Sequence, residues 1–209
     1  MRLCAAYRRR VNDVRSAYSE LSGRYIETVG TIGHVHPDDL NLATRWAADV
    51  TGPVLDAGCG PGQWSEFLAG LGLDVTGVDQ VPEFIAHARA AVPEIDFSVG
   101  DLCALDAADA SFGGVLSFYS LVHFRPETIH EPLAEFARVL QPGGRMLVGF
   151  FAGSVLESFP HKVVTAYCWP TEALADALDA AGFEVLETHT RAKPGARTHG
   201  AIIAERRGG

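Results

Sequence analysis

Two periodicities divide the chain near Gly52. Ahead of it, Val11, Val14, Tyr18, Leu21 and Tyr25 recur at steps of three and four, the spacing of one helix face. A second helix is predicted from Pro37 to about Val50, because proline suits the first helical turn and Asp38 and Asp39 complement the helix dipole. Beyond Gly52, short β-rich runs alternate with helical ones. Strands are expected at Pro53–Asp56, Val75–Asp79, Ile95–Val99, Val115–Tyr119 and Gly144–Phe151, with helices at Gly62–Leu71, Pro82–Val92 and Pro126–Leu140 between them. A helix capped by Thr171 and ending at Gly182 precedes two further strands, Phe183–His189 and Ala201–Glu205. This rhythm predicts an α/β fold with about seven strands in a mostly parallel sheet, covered by helices on both faces. Ala152–Pro170 fits neither period and reads as an irregular insertion over the C-terminal edge of the sheet, where ligands bind in open α/β folds. Residues 1–51 form an N-terminal helical segment and 52–209 the α/β domain.

Composition narrows the range of functions. At 47% hydrophobic and 21% charged, the chain can bury a substantial core. Its formal net charge of −9 and pI near 5.3 argue against nucleic-acid binding, which draws on Lys and Arg. The first ten residues carry four arginines and read as a solvated basic leader; no apolar stretch suited to an export signal follows them. The apolar run Arg145–Gly153 is about half a membrane span. A soluble, cytoplasmic protein without a membrane partner is expected. Cys4, Cys59, Cys103 and Cys168 are dispersed, with no zinc spacing, and read as reduced structural thiols; no metal site is expected.

The strongest chemical signal is VLDAGCGPG, Val54 to Gly62, where an apolar strand ends in a carboxylate and turns through three glycines into a helix. Gly58, Gly60 and Gly62 let the backbone turn sharply and approach a ligand closely. A triphosphate loop would need GxxxxGK followed by Ser or Thr, and a dinucleotide fingerprint needs Gly or Ala where Gln63 stands. Asp56 before the turn would repel a pyrophosphate and favours a cationic amino group. Asp79 ends the second strand about twenty residues after the first glycine, where an acid accepts ribose hydroxyls. Asp101 in VGDL either faces an adenine amino group beside Leu102 or caps a turn. Together these acids point to an amino-acid-bearing nucleoside without phosphate.

The ordered set VLDAGCGPG, VTGVDQ, VGDL, VLSFYSLVHF, LQPGGRMLVGF and WPTEALADALDAAGFEV resembles the class I S-adenosylmethionine-dependent methyltransferases of the small-molecule type, over Gly52 to Glu205. The resemblance implies a Rossmann-like sheet whose last strand is antiparallel, and an N-terminal lid over the cofactor. It assigns Asp56 to the amino group and Gly58, Cys59 and Gly60 to the turn beneath the methionine portion. Asp79 falls to the ribose, Gln80 and Val81 to the adenine flank, Asp101 and Leu102 to the adenine edge, and Phe118 to the methionine side. Gly113 and Gly114 stand where many relatives carry an acid.

His123, just past the fourth strand, is the catalytic candidate: either a base for an attacking oxygen or nitrogen, or a packing and hydrogen-bonding residue. Spacing alone puts Tyr18 and Tyr25 in a core, whereas a lid would bring their hydroxyls to the cofactor. His34, His36 and His161 match no metal motif and read as loop residues, and Tyr167 is a further polar candidate in the 152–170 insertion. The expected activity is methyl transfer from S-adenosylmethionine, leaving S-adenosylhomocysteine, to an oxygen, nitrogen or carbon of a small metabolite. Two other readings stay open: a protein that uses the bound cofactor structurally or electrostatically without transfer, and a nicotinamide-dependent dehydrogenase, which Asp56 and Gln63 disfavour. Nothing in the sequence specifies the acceptor or the oligomeric state.

Overall fold

The computed structural model describes the backbone of residues 5–208 and the side chains of residues 13–208. Cys4, the side chains of the basic leader and that of Val11 lie outside the described residues. Helix α1 (Ala5–Val29) leads through a 3-10 turn (Ile32–His34) to α2 (Pro37–Ala48). There follow β1 (Val54–Ala57), α3 (Gln63–Gly70), β2 (Val75–Asp79), α4 (Pro82–Ala91), β3 (Asp96–Val99), β4 (Phe112–Phe118), α5 (His130–Val139) and β5 (Leu140–Ala152). The chain continues through β6 (Glu157–Phe159), β7 (Ala166–Trp169), α6 (Thr171–Ala180), β8 (Phe183–Arg191) and β9 (Thr198–Arg206).

Strands β3, β2, β1, β4 and β5 lie side by side and parallel. On the other edge of β5, β9 runs antiparallel from Arg145↔Glu205 to Ala152↔Thr198, and β8 pairs antiparallel with β9. This is the Rossmann-like arrangement with an antiparallel last strand that the resemblance implied. The sheet has nine strands, not seven. The two extra strands fall in 152–170, expected to be irregular. Pairing of β4 with β5 stops at Phe118↔Gly149, and Phe151 and Ala152 pair instead with Cys168 and Trp169 of β7. An overhang of β5 thus templates β7, and β6 folds back antiparallel on it. Two helix starts also differ from expectation. Thr128 donates through both N and Oγ1 to the Arg125 carbonyl, closing a turn ahead of α5, and Pro170 rather than Thr171 stands at the cap of α6.

Burial on both faces follows from strand alternation. Leu55, Val115, Met146 and Ile202 point toward α5 and α6, where Leu133, Phe136, Leu174 and Leu178 meet them. Their neighbours Val54, Leu116, Leu147 and Ile203 point the other way, toward Leu42 and Trp46 of α2 and Trp64 and Leu68 of α3. Each such large apolar side chain contributes about 1.5–3 kcal/mol on burial. A third cluster joins Ile85 and Ala88 of α4 to Phe97 of β3. Gly113 is dictated by a close approach: a Cβ there would lie 1.8 Å from the Thr51 carbonyl oxygen. No helix among the described residues is long and apolar enough to cross a membrane.

Candidate functional site

The βα turn after β1 is pinned to β2, with Gly58 N and Cys59 N both donating to the Val78 carbonyl at 2.7 and 3.1 Å. Gly58 has φ +83° and Gly60 φ +55°. A Cβ at Gly58 would stand 2.2 Å from Ser120 Cβ, so the turn packs directly on the segment after β4. A Cβ at Gly60 would meet no protein atom within 4 Å. That open side faces a cleft at the C-terminal ends of β1, β2 and β4, where Gly58, Gly60 and Asp79 are part of the lining.

Asp79 lies in the cleft wall, its carboxylate accepting from Gly60 N at 3.0 Å and Val81 N at 2.8 Å. Desolvation pushes its pKa up to about 6, against the pull of these bonds. Gln80 and Val81 line the cleft beside it, and Asp101 and Leu102 face in from the loop after β3. Asp101 also caps a turn, accepting from Cys103 N at 2.9 Å, so the two roles weighed for it are compatible. Phe118 closes the cleft beyond the glycine turn, its ring 4.6 Å from that of Trp64.

Two of the residues assigned from the motif lie elsewhere. Asp56 is 2% exposed beneath the turn, where Ser65 Oγ of α3 donates to it at 2.6 Å. Burial, with help from the charge of Asp79, pushes its pKa up to about 7, against the Ser65 bond. The Cys59 side chain is buried with Ile85 and Phe97, and burial pushes its thiol well up. Neither residue lines the cleft.

Helix α1 closes the opposite side. Tyr18 and Tyr25 stack edge-to-face at 5.5 Å, both meet Phe84 of α4, and Ser19 Oγ donates to Glu83 at 2.8 Å. Val14 is buried as the stripe predicts, whereas Leu21 is 37% exposed. Both phenols line the cleft, and burial pushes their pKa values up. The Tyr18 hydroxyl lies 2.8 Å from His123 Nε2, and His123 Nδ1 lies 2.9 Å from the Thr165 carbonyl. Because a carbonyl only accepts, Nδ1 carries the proton, and in the neutral ring Nε2 accepts from Tyr18.

Sequence reasoning passed over Tyr119, Ser120, Phe84, Phe124 and Thr128, which also line the cleft. Tyr119 adopts φ +60°, uncommon for a bulky residue and a mark of functional sites. Its hydroxyl is hydrogen-bonded to His199 Nδ1. Tyr119 and Ser120 sit inside VLSFYSLVHF, so the motif contained the signal. Of the other polar candidates, His161 packs against the His123 ring at 5.4 Å, with burial pushing its pKa down. His36 caps α2, accepting from Asp38 N, and His34 bonds Thr31. Tyr167 lies in β7, its backbone N donating to the Val122 carbonyl.

A family model described as a methyltransferase domain matches residues 54–144. A probable S-adenosylmethionine-dependent methyltransferase of Mycolicibacterium smegmatis is 34% identical over 143 residues, covering 65% of this chain and 53% of the relative, so the chain spans about half of that protein. A demethylmenaquinone methyltransferase of Renibacterium salmoninarum is 30% identical over 174 residues, covering 78% of this chain and 68% of the relative. The chain belongs to the S-adenosylmethionine-dependent methyltransferases. A solved 1,6-didemethyltoxoflavin N1-methyltransferase of Burkholderia thailandensis shares the fold of this methyltransferase chain, with a TM-score of 0.79 at 24% identity, covering 100% of this chain and 93% of that one.

The cleft fits the family's cofactor on its own terms: Asp79 presents a desolvated carboxylate and Gly60 a stretch of backbone that no side chain covers. Among the described residues, no group of three or more His, Cys, Asp or Glu side chains could hold a metal ion. Activity is accordingly expected to be unchanged in EDTA; a loss reversed by magnesium would reveal a metal-dependent mechanism. A second expectation concerns pH. A ligand whose hydroxyls donate to Asp79 favours the charged carboxylate, and without ligand that carboxylate takes up a proton as pH falls through about 6. Cofactor affinity should therefore fall below pH 6, by up to about tenfold per pH unit. The fold shows the opposite sign. A carboxylate with a raised pKa contributes stability that is fully present below its ordinary range and lost as pH rises through about 6. Calorimetric titrations at pH 5 and pH 7.5 check the first, and melting curves of Asp79→Asn beside the parent check the second.

Proposed function

We propose that the protein transfers a methyl group from S-adenosylmethionine to a nucleophilic atom of a small metabolite. The observation that carries this reading is the Asp79 carboxylate, fixed by two backbone donors and still facing a cleft that Gly60 leaves open. The relatives named for demethylmenaquinone and 1,6-didemethyltoxoflavin support a small-molecule acceptor. Asp79 holds the ribose hydroxyls, Gln80, Val81, Asp101 and Leu102 surround the adenine, and Gly58, Gly60 and Phe118 border the methionine portion. Asp56 is a positioning residue, tying α3 to β1 through Ser65, and Cys59 anchors the turn in the core.

When bound, the cofactor supplies an electrophilic methyl group on a sulfonium. For an O–H or N–H acceptor, the side chains that handle the proton are Tyr18 and His123. The acceptor's proton passes to the Tyr18 oxygen as the Tyr18 proton passes to His123 Nε2, leaving Tyr18 neutral and His123 charged, with Nδ1–H on the Thr165 carbonyl. Burial keeps Tyr18 protonated beforehand, and the short Tyr18–His123 contact sets the path. Water exclusion by α1 completes the site.

Calorimetry tests the reading: S-adenosylmethionine and S-adenosylhomocysteine should both bind and NAD should give no heat, whereas NAD binding alone would favour the dehydrogenase reading. Helix α1 is proposed to act as the lid, since Val14, Tyr18 and Tyr25 bring it against the cleft. Backbone amides of residues 13–29 should then exchange more slowly with S-adenosylhomocysteine present. Exchange that is already slow and unaltered by ligand would make α1 a fixed part of the core.

A further inference from the structure

Beyond the cofactor half, the cleft wall is largely aromatic. Phe118, Tyr119, Phe124 and Tyr18 surround the space next to Ser120 and His123. The Phe118 and Tyr119 rings stand at 84° to each other and those of Tyr18 and His123 at 68°, so a planar guest meets both ring faces and ring edges, the arrangement aromatic contacts favour. His123 apart, the charged side chains that line the cleft among the described residues are the carboxylates of Asp79 and Asp101, both in its cofactor half. In a partly enclosed cleft the desolvated Asp79 carboxylate is weakly screened and repels an anionic guest. The polar complement is equally specific. The Tyr18 hydroxyl spends its single proton on His123 Nε2, which leaves its oxygen only lone pairs to offer the cleft.

Resting on the methyl-transfer reading above, we infer that the acceptor is a flat, uncharged aromatic compound whose nucleophile is a hydroxyl or ring N–H that donates to the Tyr18 oxygen. A carboxylate nucleophile would meet acceptor atoms and negative charge together, and a bare carbon would leave the Tyr18 oxygen unanswered. The same contact that selects the acceptor also places its proton on the path to His123.

Calorimetry on protein loaded with S-adenosylhomocysteine tests this with three matched probes: 2-naphthol, its methyl ether 2-methoxynaphthalene, which has no donor, and 6-hydroxy-2-naphthoate, which adds a charge. The expected result is that 2-naphthol binds at least tenfold tighter than either of the others. In Tyr18→Phe, which keeps the ring and removes the accepting oxygen, the advantage of 2-naphthol over its methyl ether should vanish while its advantage over the naphthoate persists. A loss of packing alone would instead weaken all three probes in parallel. Equal or tighter binding of the naphthoate, equal binding of the ether, or no binding of 2-naphthol to the loaded protein would each overturn the inference and leave the cofactor reading standing. Failure of S-adenosylhomocysteine to bind in the loading step would overturn the cofactor reading and this inference with it.

Discussion

Replacing Asp79 with Ala is expected to weaken S-adenosylhomocysteine binding by roughly 2–3 kcal/mol, about 30- to 150-fold in Kd, because the proposed ribose contact loses two charge-assisted hydrogen bonds together. The carboxylate also accepts from Gly60 N and Val81 N, so the alanine leaves two backbone donors of the turn without their partner. Asp79→Asn separates the effects. Its amide oxygen can still accept from one of those donors, yet it brings no charge to the ribose, and it should recover part of the turn's stability but little of the affinity. Unchanged affinity in the alanine variant would sink the ribose assignment.

The second large effect is expected at His123. If it receives the proton that leaves the acceptor, His123→Gln should lower the rate of methyl transfer by about a hundredfold or more, within the usual range for general-base catalysis. S-adenosylhomocysteine affinity should change little, since the proposed assignment puts His123 beside the acceptor and not beside the cofactor. Tyr18→Phe should lower the rate in the same direction, and combining the two changes should cost little more than His123→Gln alone, because both act on one proton path. A His123→Gln variant that turns over at the parent rate would show that alignment and water exclusion suffice, with the imidazole only bridging Tyr18 to the Thr165 carbonyl.

Much of the frame that positions these residues can be read from local pattern. The alternation of β-rich and helical runs after Gly52 places β1 to β5 and the helices between them to within a few residues, because each strand there carries enough apolar residues to announce itself. The glycine turn, Asp79 and Asp101 come from the same kind of short-range signal. Features that depend on distant partners are not legible. Strand β7 is four residues long and exists because β5 overhangs β4, a fact contained in neither segment alone. The direction of Asp56 is decided by Ser65 on the following helix, and that of Cys59 by the cluster around Phe97. Tyr119 leaves no local signal because its left-handed backbone is a property of the packed turn after β4 and has no periodicity. Conversely, the helical stripe of α1 names Tyr18 and Tyr25 correctly as inward-facing but does not say that the surface they cover is a cleft.

Incubation with methyl-labelled S-adenosylmethionine and a metabolite extract freed of protein and nucleic acid tests the central claim most directly. Methyl transfer to a small metabolite predicts label in a low-molecular-weight product, with S-adenosylhomocysteine formed in equal amount. Tight binding of the cofactor with all of the label retained in it would contradict methyl transfer and favour a protein that uses the sulfonium without spending it.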